Sequence, residues 1–577
     1  FDIKSDIPHV YNIAANSFQQ MIDNNKNQSI LVSGESGAGK TQTTKYILQY
    51  IAHNDSKRQE TLDNINNNIA VKKIQEKIIE SNPILESFGN AKTKRNNNSS
   101  RFGKFISLQF SDNGKLLGAN IETYLLERVR LIEHDELEQN FHIFYTILKN
   151  IQKKPSDFEI LGSNNVDHII EYDKLINAFK TMDFSEEEIN NISNIILAIL
   201  QIGNYMKSLN NDNLELLKNV SQLLGTDYNS LKLLFKQKEM IVHGEKFIID
   251  YNDDEKLIVI KSFIKIIYSK LFEWIVDKIN QSIKLSNTQI SCNSIKILDI
   301  FGFEVFEQNG FEQFCINYAN ECLQQIFTQY TVKMEQIEYE NENIRWDVIE
   351  YPDNQACINL FDAKNTLSLF NLIEEQCIIP KGSSEGFYNK IVKEQNNSDL
   401  IIVDNRKRIK REFIIKHYAN DVAYQAFKFV EKNKDTINPR TQRLIENSNN
   451  PIIKELGNFI PKQTKKTISS YFRNQLRELK NTILQTDPHF IRCIKPNDNN
   501  IPNSFNENRV LEQLKYNGVM SAIQVAKSGY PIRILLSDFN SRYWFLYNQS
   551  LEEMTSELIT SVCKFLSQNS NKDYEYQ

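Results

Sequence analysis

Cysteine, glycine and tryptophan are sparse in this chain of 577 residues, and long apolar runs are missing altogether. The seven cysteines (Cys292, Cys315, Cys322, Cys357, Cys377, Cys493 and Cys563) form no C-x-x-C pair and no zinc-ligand spacing. Scattered thiols in odd number argue against a disulfide framework and fit a reducing, cytoplasmic compartment. No run reaches the roughly 18 apolar residues of a membrane span, and no charged-then-apolar leader opens the chain. A net charge of −5 is small for this length, which argues against a globally basic nucleic-acid binder. Any electrostatic partner must therefore be met by local patches. What is present is apolar mass: 40% of residues are hydrophobic and 11% aromatic. The length exceeds the roughly 250–300 residues at which one core stops growing, so several subdomains are expected. The chain opens on Phe1 rather than Met, which reads as a fragment.

Only 18 residues are glycine, yet three of them fall at Gly34, Gly37 and Gly39. The segment Gly34-Glu35-Ser36-Gly37-Ala38-Gly39-Lys40-Thr41 is a complete G-x-x-x-x-G-K-[ST] phosphate-binding loop. Ser29–Ser33 before it is a short apolar run suited to a buried strand. Thr41–His53 after it places Tyr46, Ile47, Tyr50 and Ile51 at helical spacing. In that context the glycines let successive N–H groups point at phosphate oxygens, and the helix N-terminus adds partial positive charge. Lys40 is expected to reach the β- and γ-phosphates and the Thr41 hydroxyl to ligate Mg²⁺. The chain is expected to bind a nucleoside triphosphate.

Further along, the polar stretch Asp55–Asn68 reads as a surface loop. Lys104–Phe110 alternates into a strand, Asp112-Asn113-Gly114 signals a hairpin, and Leu116 begins its return strand. From Glu159 to Leu285 the periodicity is mostly helical. Ile295–Leu298 reads as a strand ending at Asp299. A long helix from Glu304 to about Tyr339 would span on the order of 50 Å. Ser470–Thr486 is a further helix with Phe472, Leu476, Leu479 and Ile483 on one face. Strands interleaved with long helices give an α/β core with helical insertions.

A phosphate loop binds but does not hydrolyse. Two more pieces are needed, and two segments supply candidates. Asn96-Asn-Asn-Ser-Ser-Arg-Phe-Gly-Lys104 is a polar loop entering a strand, and Asp299-Ile-Phe-Gly-Phe-Glu304 ends one. An Asp so placed can hold Mg²⁺ through water, and Gly302 lets a backbone N–H approach the γ-phosphate. Taken singly, the first is an ordinary exposed loop and the second a common strand end; beside a phosphate loop they read as switches.

Together with these, Tyr124-Leu-Leu-Glu-Arg128, Asn140-Phe-His-Ile-Phe-Tyr145, His417-Tyr-Ala-Asn420, Lys432-Asn-Lys-Asp435, Pro488–Asn497, Val510–Gly518 and Asp538–Tyr543 resemble, in order, signatures of the myosin motor domain. The resemblance covers essentially the whole chain. It implies an α/β P-loop NTPase core with a mixed, mostly parallel central sheet, large helical insertions and a partial converter. It also implies three parts: residues 1–298 (phosphate loop, first switch, upper lobe), 299–500 (second switch, relay helix, lower lobe) and 501–577 (hinge helices, partial converter). The purine loop and N-terminal barrel would lie before Phe1, and the converter's last strand after Gln577.

Residue by residue, the resemblance gives Gly34 to Thr41 and Asn96 as ATP contacts. Thr41 and Ser100 are Mg²⁺ ligands, with Asp299 behind a bound water. Ser99 and the Gly302 amide hold the attacking water, and Arg101 and Glu304 form the ion pair that latches the switches. A buried Arg–carboxylate pair adds little net stability but marks a defined closed state, which a gate requires. Trp346 resembles a relay-loop tryptophan, though ordinary packing would also account for it. Tyr516–Lys527 resembles the helix hinge before the converter. Actin filaments are the implied partner, with contacts at Glu245, Lys462, Lys465, Lys466, Gln475, Leu476, Leu479, Pro488, His489 and Phe490. The lysines also fit a merely solvated loop. Light chains or cargo would bind only regions outside this chain, and the implied location is cytoplasmic and cytoskeletal.

Some positions depart from the family pattern. Asn420 replaces a usual glycine, and Asn tolerates left-handed backbone angles. Tyr516 and Ala526 stand where many members carry cysteine. A kinesin-type motor is disfavoured because kinesins carry Ser-Ser-Arg-Ser-His and Asp-Leu-Ala-Gly-Ser-Glu in place of these switches. A non-cycling actin tether is disfavoured because every switch residue is intact.

Overall fold

Among the described residues the strands assemble into four sheets, the central one built from runs rich in Ile, Leu, Val and Phe. The computed structural model describes residues 8–60, 65–94, 96–161, 170–208, 213–242, 245–284, 292–341, 353–363, 367–394, 398–403, 411–434, 437–460, 467–499 and 501–528. In chain order the strands are β1 (Gln28–Gly34), β2 (Asn90–Thr93), β3 (Asn96–Ser100), β4 (Gly103–Phe110), β5 (Leu116–Tyr124), β6 (Gln237–Val242), β7 (Glu245–Asp250), β8 (Asn293–Asp299), β9 (Ile401–Ile402), β10 (Glu412–Lys416), β11 (Asp421–Gln425) and β12 (Asp487–Cys493).

The central sheet has the order β12-β1-β8-β4-β5. β1 pairs parallel with β12 and β8, whereas β4 pairs antiparallel with β8 and β5, so four of the five strands point the same way. Ile30, Leu31 and Val32 of β1 are all buried, as expected of a strand covered on both faces. The β1–β8 register sets Val32 opposite Asp299, so the phosphate loop and the segment after Asp299 leave the sheet side by side. The expected hairpin joins β4 to β5, with Gly114 at φ 77°.

Two apolar cores flank this sheet. One gathers the helices between Val10 and Ile283 and takes back Leu444–Ile460; the other is built on Phe311–Ile326, β10, β11 and Phe472–Ile483. The return of Leu444–Ile460 means the cores do not divide at residue 298.

Several elements differ from the sequence expectation. Asp55–Asn68 is not a continuous loop: the helix from Lys40 runs to Glu60 and the next starts at Ile65. Lys57, Arg58, Gln59 and Glu60 are all good helix formers, so the polar run there continues the helix rather than breaking it. Asn96–Ser100 is a strand paired to β2, not a free loop. β6 and β7 form a hairpin inside the region read as helical. The long helix starts at Phe311, not Glu304. Asn309 closes a local ring, its Oδ1 accepting from Phe306 N (2.9 Å) and its Nδ2 donating to Phe306 O (2.9 Å). Gly310 then takes the cap position, its N–H donating to Gln313 Oε1 at 3.1 Å. The helix continues as a π-turn at Gln329–Lys333 and is described as far as Asn341. Asn420 is not left-handed; the β10–β11 turn closes through His417 N–H donating to Asn420 O at 3.2 Å.

Candidate nucleotide site

The phosphate loop turns out of β1 through three left-handed glycines, Gly34 (φ 145°), Gly37 (82°) and Gly39 (94°), before the helix Lys40–Glu60 begins. A Cβ at Gly39 would meet nothing within 4 Å, but its φ still strains any other residue. Lys40 is buried, and its Nζ donates to the carbonyls of Gly34 (2.9 Å) and Glu35 (2.8 Å). Burial pushes the Lys40 pKa below its ordinary value, opposed chiefly by the nearby Asp299 carboxylate.

A cavity of about 250 Å³ opens over this loop. Its walls are Ser36 to Gln42 without Ala38, Lys45, Asn96 with Asn98–Ser100, and Asp299 to Gly302 with Glu304. Thr41 Oγ1 lies 3.4 Å from Ser100 Oγ, and Ser36 Oγ lies 3.4 Å from Ser99 Oγ. Two hydroxyls and the buried Asp299 carboxylate on one cavity form an oxygen-only donor set, which suits Mg²⁺. Asn96 lines the cavity while its side chain also brackets Asn98, accepting from its N–H (3.0 Å) and donating to its carbonyl (3.1 Å). Gly302 is pressed on the phosphate loop: a Cβ there would come to 2.0 Å of the Gly34 carbonyl oxygen. Only glycine lets the two segments approach so closely.

Glu304, on the cavity wall, pairs with Arg101 behind it, Nη1 to Oε1 at 2.7 Å and Nη2 to Oε2 at 3.3 Å, each side chain 2% exposed. Arg101 has a second carboxylate that the sequence reading missed. Its Nε binds Glu127 at 2.8 Å, and Glu127 also binds Arg130 at 2.6 Å. The acid next to Arg128 in Tyr124-Leu-Leu-Glu-Arg128 was the available signal, but nothing in the spacing tied it to Arg101. Glu304 is fixed from behind by Asn317, whose Oδ1 accepts from Glu304 N (2.9 Å) and whose Nδ2 donates to Glu304 O (2.8 Å). Asn317 also donates to Tyr424 Oη (2.9 Å), which is 2.8 Å from His417 Nε2; His417 Nδ1 is 2.8 Å from Glu321 Oε1. A continuous buried polar chain therefore runs from the segment after Asp299 into the sheet β9–β11.

Burial raises the Glu127 pKa, but Arg101 and Arg130 outweigh it and bring it down to about 2. A depressed carboxylate contributes stability that is present above its unfolded value, near 4.5, and lost as pH falls toward 2. Glu127→Gln should therefore flatten the acid limb of stability in that window, read by urea melts at stepped pH. An unchanged slope would show that Glu127 is not held by its arginines.

The other expected residues are less gathered. Trp346, Lys462, Lys465 and Lys466 lie outside the described residues. The Glu245 backbone pairs with Val242 at the end of the β6–β7 hairpin. Gln475 is half-buried, but Leu476 and Leu479 are buried in the second core and present no surface to a partner. An amphipathic helix shows its apolar face to its own core first. Pro488, His489 and Phe490 are half-buried in β12, with His489 Nε2 2.9 Å from Gln28 Oε1 and Phe490 edge-on to Phe327.

Residues 3–577 match the family model of the myosin head (motor domain). The chain belongs to the myosin head family. It is 37% identical to Myosin-1 of Saccharomyces cerevisiae over 97% of this chain and 31% of that protein. It is 36% identical to Myosin-52 of Schizosaccharomyces pombe (96% and 39%) and 36% identical to the Myosin-I heavy chain of Dictyostelium discoideum (94% and 24%). The chain thus spans about a quarter to two fifths of the length of these curated myosins. The mixed sheet with its helical surroundings is the P-loop α/β architecture that membership in the myosin head family carries. No helix among the described residues is long and apolar enough to cross a membrane.

Proposed function

We propose that this chain is the ATP-hydrolysing, actin-engaging head of a cytoskeletal motor. The observation that carries the reading is the buried Arg101–Glu304 pair, which joins two segments over a cavity floored by a phosphate loop. Lys40, the loop amides and Asn96 bind the phosphates. Thr41 and Ser100, with Asp299 through water, would hold Mg²⁺, which would supply positive charge against the phosphates. Ser99 and the Gly302 amide orient the attacking water, and the Arg101–Glu304 pair keeps bulk solvent out while that geometry lasts.

The asparagine behind Glu304 belongs to the helix Phe311–Thr328, so any shift of the segment Asp299–Glu304 is felt by that helix. Through it the motion passes toward residues 501–577, read as hinge helices and a partial converter, while residues 1–298 serve as the upper lobe, onto which Leu444–Ile460 packs back, and the rest of 299–500 as the lower. Actin would meet Glu245, Gln475 and the lysines at 462, 465 and 466; the light chains or cargo would bind elsewhere in the longer protein. Such a motor works in the cytoplasm on actin filaments.

Co-sedimentation with filamentous actin, with and without MgATP, tests the reading. Binding without nucleotide and release by ATP are expected. Binding that ignores ATP would mark a tether, and no binding in either state would overturn the actin assignment.

A further inference from the structure

The carboxylate of Glu35 does not face the cavity. It leaves the phosphate loop on the opposite side and is held there by two residues of the helix Glu507–Tyr516: the Arg509 guanidinium pairs with Oε2 and the Tyr516 hydroxyl donates to Oε1. Arg509 also reaches Asp498 at 3.3 Å, which pins its own orientation. Burial would lower the Arg509 pKa, but Glu35 and its other anionic neighbours outweigh it and raise it, so the guanidinium stays charged. This loop glutamate is the same residue whose carbonyl holds Lys40 and whose backbone abuts Gly302.

The helix so attached is one of a pair. It breaks at Gly518 (φ 74°), where a Cβ would approach Gln324 of the long helix at 3.0 Å, and the chain resumes as the helix Val519–Ser528. A second, longer path links the same parts. Gln324 Oε1 accepts from Arg492 Nη2 (2.9 Å), whose Nη1 donates to Ser33 Oγ (2.8 Å) just before the loop. Glu35 is thus the one position where the helix pair touches the phosphate loop directly among these described contacts.

Resting on the nucleotide-site reading above, we infer that Arg509 and Tyr516 are positioning residues that clasp Glu35, so that nucleotide in the loop and the placement of the helix pair 507–528 bias one another. Tyr516 gives this chain its second bond, since a cysteine there would be too short to reach the carboxylate. The clasp holds the loop in its curled form before phosphate arrives, so less ordering is left to be done on binding. Coupling of this kind is reciprocal: what nucleotide does to the helix, the helix does to nucleotide affinity.

The test uses the whole chain in two arms. Without nucleotide, hydrogen exchange in Tyr516→Phe should quicken at loop amides 35–39 and in 507–516 together, with other segments unchanged. With a fluorescent ADP analogue, Tyr516→Phe should bind about 5-fold more weakly, the lower end of ordinary coupling. In a Glu35→Ala background the same substitution should change affinity by less than about 2-fold, because the oxygen that Tyr516 binds is gone. Should Tyr516→Phe fold poorly, Tyr516→Cys takes its place in both arms. Exchange that quickens at 507–516 alone, or an equal affinity loss in both backgrounds, would overturn the inference. A wild-type chain that binds no ADP analogue would instead overturn the nucleotide reading, leaving the exchange arm to decide the clasp.

Discussion

Glu304→Arg and Arg101→Glu, made singly, should each abolish ATP hydrolysis while leaving nucleotide binding largely intact. Each leaves like charges facing one another at a site where both partners are 2% exposed. Breaking a buried pair from one side costs roughly 3–5 kcal/mol, so a lower melting temperature should accompany the lost activity. The two singles are not equivalent, because Arg101 also binds Glu127. In Glu304→Arg the native arginine keeps that second carboxylate. In Arg101→Glu the new carboxylate meets Glu127 as well as Glu304, so this variant should be the less stable of the two. The double reversal regenerates an ion pair of opposite polarity and should recover part of the hydrolysis, but the contact with Glu127 stays repulsive and recovery stays incomplete. Steady-state ATPase and thermal melts of all four proteins decide it. A double reversal no better than the singles would show that the two residues do not act as a pair.

Lys40→Ala should leave a folded protein without measurable ATPase. Lys40 is the loop's own cation on the cavity, and loss of such a group removes transition-state stabilisation on the order of 3–4 kcal/mol or more, at least 10²–10³ in rate. Its burial already disfavours the charged form, so deleting it removes a desolvated ammonium as well as two hydrogen bonds to loop carbonyls. Those opposing effects should keep the melting temperature within a few degrees of the parent. Turnover near the parent rate in a normally folded Lys40→Ala would overturn the phosphate-loop assignment.

Much of the nucleotide site could be read from residue order because its chemistry is local. Gly34–Thr41 is one turn, and Asp299 and Gly302 sit three residues apart at the end of one strand. The Arg101–Glu304 pair is separated by about two hundred residues, and only the family resemblance brought it together in advance. Glu127 escaped notice for the converse reason: it belongs to a quoted signature, but its partner choice is settled by tertiary packing. Glu35 was grouped with the ATP contacts by its position in the loop, whereas its side chain points the other way, to Arg509 and Tyr516. Helix boundaries suffered where polar residues stood in for breaks, as at Asp55–Glu60, or where side-chain rings delayed a start, as Asn309 does before Phe311. The β6–β7 hairpin was hidden because it is barely covered: Phe247, Ile248 and Ile249 are 44%, 59% and 38% exposed. A strand without a buried face shows no period-two alternation.

The π-turn at Gln329–Lys333 changes what the long helix can transmit. Each residue of an α-helix advances about 100° around the axis, so one residue inserted into a turn rotates everything beyond it by about that amount for little added length. From Met334 onward the helix presents a different side than the turns of Phe311–Thr328 would dictate. If that extra residue were absorbed or released, the far end would swivel while the near end, fastened to Glu304 through Asn317, stayed put. On the motor reading proposed above, the element is thus less a pushrod than a shaft with a clutch in it: the same small displacement at one end would be delivered at the other as torque.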